Sequence, residues 1–335
     1  MREIQKRKRL QEVLENIPEY LVERLDFPAL LHELEQDPSK VTVAEKPRIF
    51  HIETTLRCNL SCPFCPRTTD LQAHPEVRDL NAHMDFDNFR RVLDKMPWVK
   101  SLELFHYGEP FMQNNFHDFV AECTARGIFS VAASNLLPAT PEKVDKVFNA
   151  GLGFLVMDID SLDPEEYAKL RVGGSLELLQ KRVQYVLQTV KRPYLVAQCI
   201  LVEKKKKFTE AQFEAWAGGK PDAYHWKFYD ALRGEIIPDK GRLQGICKEP
   251  FYGFTVHLDG EVMVCNRDWR GENSMGNIFK QSVEEIWHGP KYQEFRRRML
   301  SEDKPDMCKL CPEGDYCNLR SQPSVQVNML TGMDV

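Results

Sequence analysis

Residues 54–68 read T-T-L-R-C-N-L-S-C-P-F-C-P-R-T, and the cysteines within them, Cys58, Cys62 and Cys65, are spaced C-x3-C-x2-C. The stretch directly follows an apolar segment that reads as a strand, so the cysteines fall in a surface-facing loop at that strand's carboxyl end. Three soft thiolates this close together suit an iron–sulfur cluster or zinc. A structural zinc asks for four protein ligands, and the next histidine, His74, stands nine residues beyond Cys65. Three thiolates leave one metal position open, which points to a cluster whose remaining iron takes up a small molecule.

Outward from this loop, short apolar strands alternate with amphipathic helices. Strands are predicted at Ile49–Thr54, Ser101–Phe105, Phe129–Ser134, Phe154–Ile159, Tyr194–Val202 and Ala223–Tyr229. Helices are predicted around Phe86–Met96 and at Asn115–Arg126, Thr140–Asn149, Ser175–Val190 and Thr209–Trp216. Thr140 before Pro141 forms an N-cap with proline at the first helical position, and Gly218 with Gly219 ends the last helix. The repeated alternation implies a parallel sheet with crossover helices. Six units are too few for an eight-stranded closure. The fold class is therefore α/β, a partial (β/α)6 TIM-like barrel with its ligands at the strand carboxyl ends.

After about residue 240 the alternation stops. Phe254–Leu258, the Asp259-Gly260 turn and Glu261–Cys265 read as a β-hairpin, and Ser282–Trp287 and Tyr292–Leu300 as helices. The tail is rich in Cys, Pro and Gly and short of apolar residues, the composition of a small module stapled by a metal. Residues 1–48 carry apolar side chains at helical spacing, broken by Pro18 and Pro28. Three regions follow: a helical N-terminal extension (1–48), the partial barrel (49–240) and a C-terminal module with its tail (241–335).

The chain of 335 residues is 42% apolar and 28% charged, with a formal charge of −5. That excludes a disordered protein and a nucleic-acid binder running on bulk positive charge. No run approaches the roughly 18–20 apolar residues that span a bilayer, and the charged start, MREIQKRKRL, lacks the apolar core of a secretory signal. The expectation is a cytoplasmic protein with no nucleic-acid or membrane partner and ten reduced cysteines. Cys123 and Cys199 stand apart as core residues; Cys199, if turned into the barrel, would suit a hydrogen-atom donor. Lys204–Lys207 reads as a solvated loop.

The remaining cysteines cluster near the C-terminus. Cys247 and Cys265 enclose the hairpin, and Cys308, Cys311 and Cys317 follow as C-x2-C-x5-C. By spacing alone these residues suit a zinc staple or an iron–sulfur cluster.

Taken together, C-x3-C-x2-C after the first strand of a β/α domain resembles the radical S-adenosylmethionine (SAM) superfamily. The resemblance implies a [4Fe–4S] cluster on Cys58, Cys62 and Cys65 whose fourth iron chelates the amino and carboxylate groups of SAM. Reductive cleavage then yields a 5′-deoxyadenosyl radical that takes a hydrogen atom from substrate. Phe64 matches the position near the adenine. Tyr107, Gly108, Glu109 and Pro110 match the family's G-G-E-P segment, with Tyr107 at the first glycine, and Glu109 would meet the SAM ammonium. Ser134 and Asn135 match a Ser/Thr-Asn pair near the ribose and carboxylate. Asp158 and Asp160 match a Ser-x-Asp-Gly segment, Asp158 departing from it. Arg171, in the helix after the fourth strand, matches an arginine that pairs with the SAM carboxylate.

The second group resembles the C-terminal auxiliary-cluster module called SPASM when complete and twitch when truncated; Met275–Ile278 and Ser282–Trp287 fit it too. The resemblance implies one auxiliary [4Fe–4S] cluster on Cys247, Cys265, Cys308 and Cys311, with Cys317 able to replace one of them. A flavodoxin or ferredoxin would supply the electron. Short relatives with this tail act on sugars, aminocyclitols and nucleosides in antibiotic biosynthesis by oxidation or dehydration; other relatives modify peptides, and epimerases use a cysteine donor. Substrate contacts are expected from His106, Gln198, His225, Lys227, Tyr229 and Arg267. Alternation places His225, Lys227 and Tyr229 on the inner face of the sixth strand and Tyr224, Trp226 and Phe228 against the helices.

Overall fold

In a computed structural model the parallel strands are β1 (Ile49–Ile52), β2 (Ser101–Glu103), β3 (Phe129–Ser134), β4 (Phe154–Asp158), β5 (Tyr194–Leu201) and β6 (Ala223–Phe228). The structure describes residues 43, 45–201, 208–228, 247, 249–309 and 311, without the side chains of Ile49, Leu201, Lys227 and Phe228. The predicted extension (nearly all of residues 1–48), the lysine run, Tyr229 and Cys317 lie outside the described residues. Helices α1 (Phe86–Asp94), α2 (Phe116–Ala125), α3 (Pro141–Asn149), α4 (Pro164–Leu170), α5 (Leu176–Gln188) and α6 (Glu210–Ala217) connect the strands. Of these, α4 follows the fourth strand where a helix carrying Arg171 is expected, though Arg171 stands at its C-cap and not within it. Asp163 caps it by accepting from Glu166 N at 2.8 Å, and Pro164 opens it.

Strand alternation sorts the side chains onto two faces. Ile52, Leu102, Leu104, Ala132, Leu155 and Leu195 are buried against the helices. On the inner face Phe154, Val156, Tyr194, Val196 and Ala223 form a second apolar floor, covered by Phe129, Val131 and Ala133. Above that floor, at the strand ends, the inner face turns polar, with Asp158, Gln198 and His225 in one register row.

The C-terminal hairpin is joined to this sheet. Strand β7 (Gly253–Val256) lies parallel to β1, from Ile49↔Gly253 to Ile52↔Val256; β8 (Glu261–Met263) and β9 (Gly276–Asn277) extend the sheet antiparallel. The order is β6-β5-β4-β3-β2-β1-β7-β8-β9. Gly260, at φ 81°, closes the hairpin turn. The expectation of an apolar-poor tail is corrected here. Phe251, Phe254, Val262, Ile286, Trp287, Tyr292 and Met299 are buried together. They come from β7, β8 and the helices α7 (Glu249–Tyr252), α8 (Val283–Trp287) and α9 (Pro290–Leu300). Arg296 is buried between the rings of Trp287 and Tyr292, 4.1 and 4.6 Å from their centroids. Among the described residues no helix is long and apolar enough to cross a membrane.

Candidate active site

The cysteine loop leaves the end of β1 and is folded back against the sheet, not turned to the surface as expected. Cys62 is buried and Cys58 and Cys65 are half-buried. Burial pushes each of the three thiols up to about 11. Backbone bonds shape the loop: Cys65 N donates to Cys62 O at 3.1 Å, and Thr68 N to Cys65 O at 2.8 Å. Arg67 Nε, donating to Leu56 O at 2.6 Å, pins its far side. Cys58, Cys62 and Cys65 take part in no disulfide.

The segment after β2 approaches this loop closely. A Cβ on Gly108 would lie 2.1 Å from the Thr55 carbonyl oxygen, so only glycine fits. Glu109 is buried, and both its carboxyl oxygens are engaged. Oε1 accepts from Ser134 Oγ at 2.8 Å and Phe111 N at 3.1 Å; Oε2 accepts from Asn135 N at 2.8 Å. Burial raises its pKa to about 7 against those hydrogen bonds. Asn135 Nδ2 donates to Asn59 Oδ1 at 3.1 Å and toward the Cys58 sulfur at 4.0 Å.

Arg171 caps the C-terminal end of α4 and reaches the loop from the other side. Its Nη1 donates to the Cys62 sulfur at 3.8 Å, its Nε to Asp160 Oδ2, and its guanidinium covers the Phe64 ring at 5.3 Å. Nη2 is buried without a hydrogen bond, 3.5 Å from Asp158 Oδ2. Asp160 is turned inward at φ 63°, its Oδ1 accepting from Ile200 N at 2.9 Å. Gln198 Nε2 donates to Asp158 Oδ1 at 2.8 Å, and Gln198 Oε1 accepts from His225 Nδ1 at 2.9 Å. A polar chain thus runs from Cys62 through Arg171, Asp158 and Gln198 to His225. Tyr224 and Trp226 point the other way, onto Phe213 and Phe208.

His106, expected to touch substrate, is committed within the protein. Its Nδ1 lies 3.0 Å from Glu53 Oε1 and its Nε2 2.6 Å from Asn266 O. Glu53 also binds Arg78, and Arg78 donates to Trp269 O at 3.2 Å. Beside them Asp70 accepts from Trp269 Nε1 at 2.5 Å and from Arg270 Nε at 2.6 Å. The Arg78 guanidinium and the His106 ring hold the Glu53 carboxyl far below its ordinary range despite burial. His257, buried beside this group, is lowered to about 3 by burial. Sequence reasoning passes over Glu53, Asp70, Arg78, Trp269 and Arg270; the available signal was an acidic residue at the end of an apolar strand. Cys199 faces the helices, its Sγ donating to Asp160 O at 3.1 Å, and so does not line the barrel interior as a hydrogen donor would.

At the far end, burial and the neighbouring Cys308, Glu249 and Cys311 push the Cys265 thiol well up. Cys311 N donates to Cys308 O at 3.1 Å, and Lys304 lies beside both Cys308 and Cys247. The structure therefore gathers Cys247, Cys265, Cys308 and Cys311 into one region. Arg267 is half-buried in the loop after Cys265.

The residues present fit an iron–sulfur cluster and a cationic amino-acid cosubstrate. Three free thiols surround one loop. A buried carboxyl with raised pKa suits an ammonium, and a buried guanidinium nitrogen without a hydrogen bond suits a carboxylate. Among the described residues no three Cys, His, Asp or Glu side chains converge on a single ion; thiols that each bind a different iron of one cluster stand further apart.

Residues 52–202 match the family described as the Radical SAM superfamily, and residues 247–312 match SPASM, an iron-sulfur cluster-binding domain. The S-adenosyl-L-methionine-dependent 2-deoxy-scyllo-inosamine dehydrogenase of Niallia circulans is 22% identical over 272 residues, 78% of this chain and 92% of the relative. The fold is shared with BtrN in complex with AdoMet and 2-DOIA (TM-score 0.53, 17% identity, 78% of this chain and 92% of that one). It is shared also with Streptococcus suis SuiB bound to precursor peptide SuiA (TM-score 0.60, 14% identity, 88% of this chain and 76% of that one).

Proposed function

Because the chain belongs to the radical SAM superfamily and carries an SPASM domain, we propose that this enzyme takes a hydrogen atom from a small hydroxylated molecule and oxidises or dehydrates it. A sugar, aminocyclitol or nucleoside of a natural-product pathway is the substrate class. The observation that carries this reading is the pair Gln198–His225 on the inner face of the strand ends, anchored on Asp158, with donors and acceptors suited to hydroxyl groups. The Niallia circulans dehydrogenase, matched over 92% of its length, supports it.

In this reading Cys58, Cys62 and Cys65 hold the first [4Fe–4S] cluster, and Cys247, Cys265, Cys308 and Cys311 a second. When bound, the first cluster and SAM supply one-electron reductive cleavage and, from it, hydrogen-atom abstraction. The chain's own work is placement. The Gly108 backbone and Glu109 would accept from the SAM amino group and Arg171 Nη2 would meet its carboxylate, while Ser134 and Asn135 hold Glu109 in position. Phe64 with Asp158 and Asp160 completes the cofactor side; Gln198, His225 and Arg267 are the substrate side, to which the sequence pattern alone adds Lys227. A cytoplasmic flavodoxin or ferredoxin delivers the electron. The division of the chain near residues 48 and 240 belongs to the same reading.

A second reading, peptide modification, is favoured by the likeness to SuiB with its peptide. The test is deuterium transfer into 5′-deoxyadenosine from ring-deuterated sugars, cyclitols and nucleosides and from deuterated peptides. Transfer from a member of the first panel and from no peptide is the expected result. Transfer from peptides alone overturns it in favour of the second reading.

A further inference from the structure

Arg171 stands between a cysteine of the first group and a wall of carboxylates. Nη1 donates to the Cys62 sulfur at 3.8 Å; Nε binds Asp160, and Nη2 lies 3.5 Å from Asp158. Its side chain is 8% exposed, so water screens these charges little. The hydrogen bond from Gln198 Nε2, at 2.8 Å, fixes the carboxylate of Asp158 toward the guanidinium.

We propose that Arg171, beyond meeting the SAM carboxylate through Nη2, acts through Nη1 and Cys62 to set the reduction potential of the first cluster, with Asp158 opposing it. This rests on the reading that Cys58, Cys62 and Cys65 carry a [4Fe–4S] cluster. Reduction adds an electron to a group already made negative by its thiolates. A guanidinium against a ligating sulfur stabilises the reduced form and raises the potential, as hydrogen bonds to cluster sulfurs do. A carboxylate in the same place disfavours that form. The two residues therefore push the same quantity in opposite directions. A purely structural ion pair would lose the same thing whichever partner was removed.

Asp160 is fully buried and also receives Ile200 N, so its removal would disturb the β4–β5 connection. Asp158, with 18% of its side chain exposed, is the partner to change. The experiment is a potentiometric titration of the reconstituted holoenzyme without SAM, following by electron paramagnetic resonance the reduced-cluster signal that the wild type identifies as the one changed by added SAM. Asp158→Asn should raise that midpoint, and Arg171→Gln should lower it. Each change is on the order of tenfold in the reduction equilibrium, about 59 mV for one electron. Arg171→Lys, which keeps the charge but loses the fork, should fall between wild type and Arg171→Gln, and it replaces that variant if Arg171→Gln fails to load iron. An unchanged or lowered midpoint in Asp158→Asn overturns the proposal. A wild-type protein with no SAM-sensitive signal would instead overturn the cluster reading beneath it.

Discussion

His106 Nε2 stands 2.6 Å from the carbonyl oxygen of Asn266, a hydrogen bond across 160 residues. It ties the end of β2, next to Gly108 and Glu109, to the loop that follows Cys265. Glu53, Arg78, Trp269, Asp70 and Arg270 complete the clamp. The two cysteine groups are thus held by one body of buried polar contacts, and disturbance of one should be felt at the other.

Glu53→Gln tests the clamp. It leaves Arg78 and His106 buried with no full negative charge, and breaking a buried pair from one side costs about 3–5 kcal/mol. Urea unfolding of the holoenzyme should show that loss at neutral pH. Since the Glu53 carboxyl is lowered by folding, its contribution is present above its ordinary value of 4.5 and fades as pH falls below it. The variant's deficit should therefore shrink in acid. A deficit that is the same at every pH would place the cost in packing instead.

Gly108→Ala would drive a methyl group into the Thr55 carbonyl oxygen, 2.1 Å away. One of the two segments must move, and both belong to the candidate cofactor site. SAM binding measured calorimetrically should weaken at least tenfold, with a stability loss of about 1–3 kcal/mol typical of overpacking. Wild-type affinity in this variant would remove Gly108 from the cofactor site.

Glu109 gives the pH dependence. Burial, aided by the nearby Asp158 charge, raises it to about 7, against hydrogen bonds from Asn135, Ser134 and Phe111. Between pH 4.5 and 7 the folded carboxyl binds more proton than the unfolded one, so this group's contribution to stability falls as pH rises through that window and is level above it. An N–H donor on the ligand prefers the ionised form. SAM affinity should rise with pH up to about 7 and then level off, and Glu109→Gln should abolish the rise. A rise retained in Glu109→Gln would assign the titration elsewhere.

The sequence locates most strands within a residue or two, because apolar alternation bounded by polar turns is local information. Strand β3 (Phe129–Ser134) matches residue for residue. The helix Pro164–Leu170 has no bounds in the sequence reading, because its seven residues are too few to show a helical period and its start is marked only by the Asp163 cap and Pro164. The parallel pairing of β7 with β1 is not legible, since nothing near Gly253 names a partner two hundred residues back. The cysteine spacings are legible because ligands of one cluster must be close in sequence or brought close by a hairpin. The partners of His106 are not legible for the opposite reason: Glu53 and Asn266 are distant in sequence, so nothing local marks it as part of a clamp.

The proposed auxiliary ligand set leaves out Cys317, and mutation tests that choice. With Cys247, Cys265, Cys308 and Cys311 as ligands, Cys317→Ser should keep wild-type iron, while Cys265→Ser or Cys311→Ser should lose about half of it. Because residues 266–270 belong to the clamp, those two variants should also lower the melting temperature. Iron loss in Cys317→Ser with retention in Cys308→Ser would redraw the set around Cys317.

The most direct measurement is anaerobic SAM cleavage by reconstituted protein under dithionite, wild type beside a Cys58→Ala/Cys62→Ala/Cys65→Ala variant, with iron counted in both. The account predicts about eight irons and formation of 5′-deoxyadenosine in the wild type, from two four-iron clusters. The variant should keep roughly half the iron and form no 5′-deoxyadenosine. Cleavage at the wild-type rate in the variant, or zinc in place of iron in both proteins, would contradict the account.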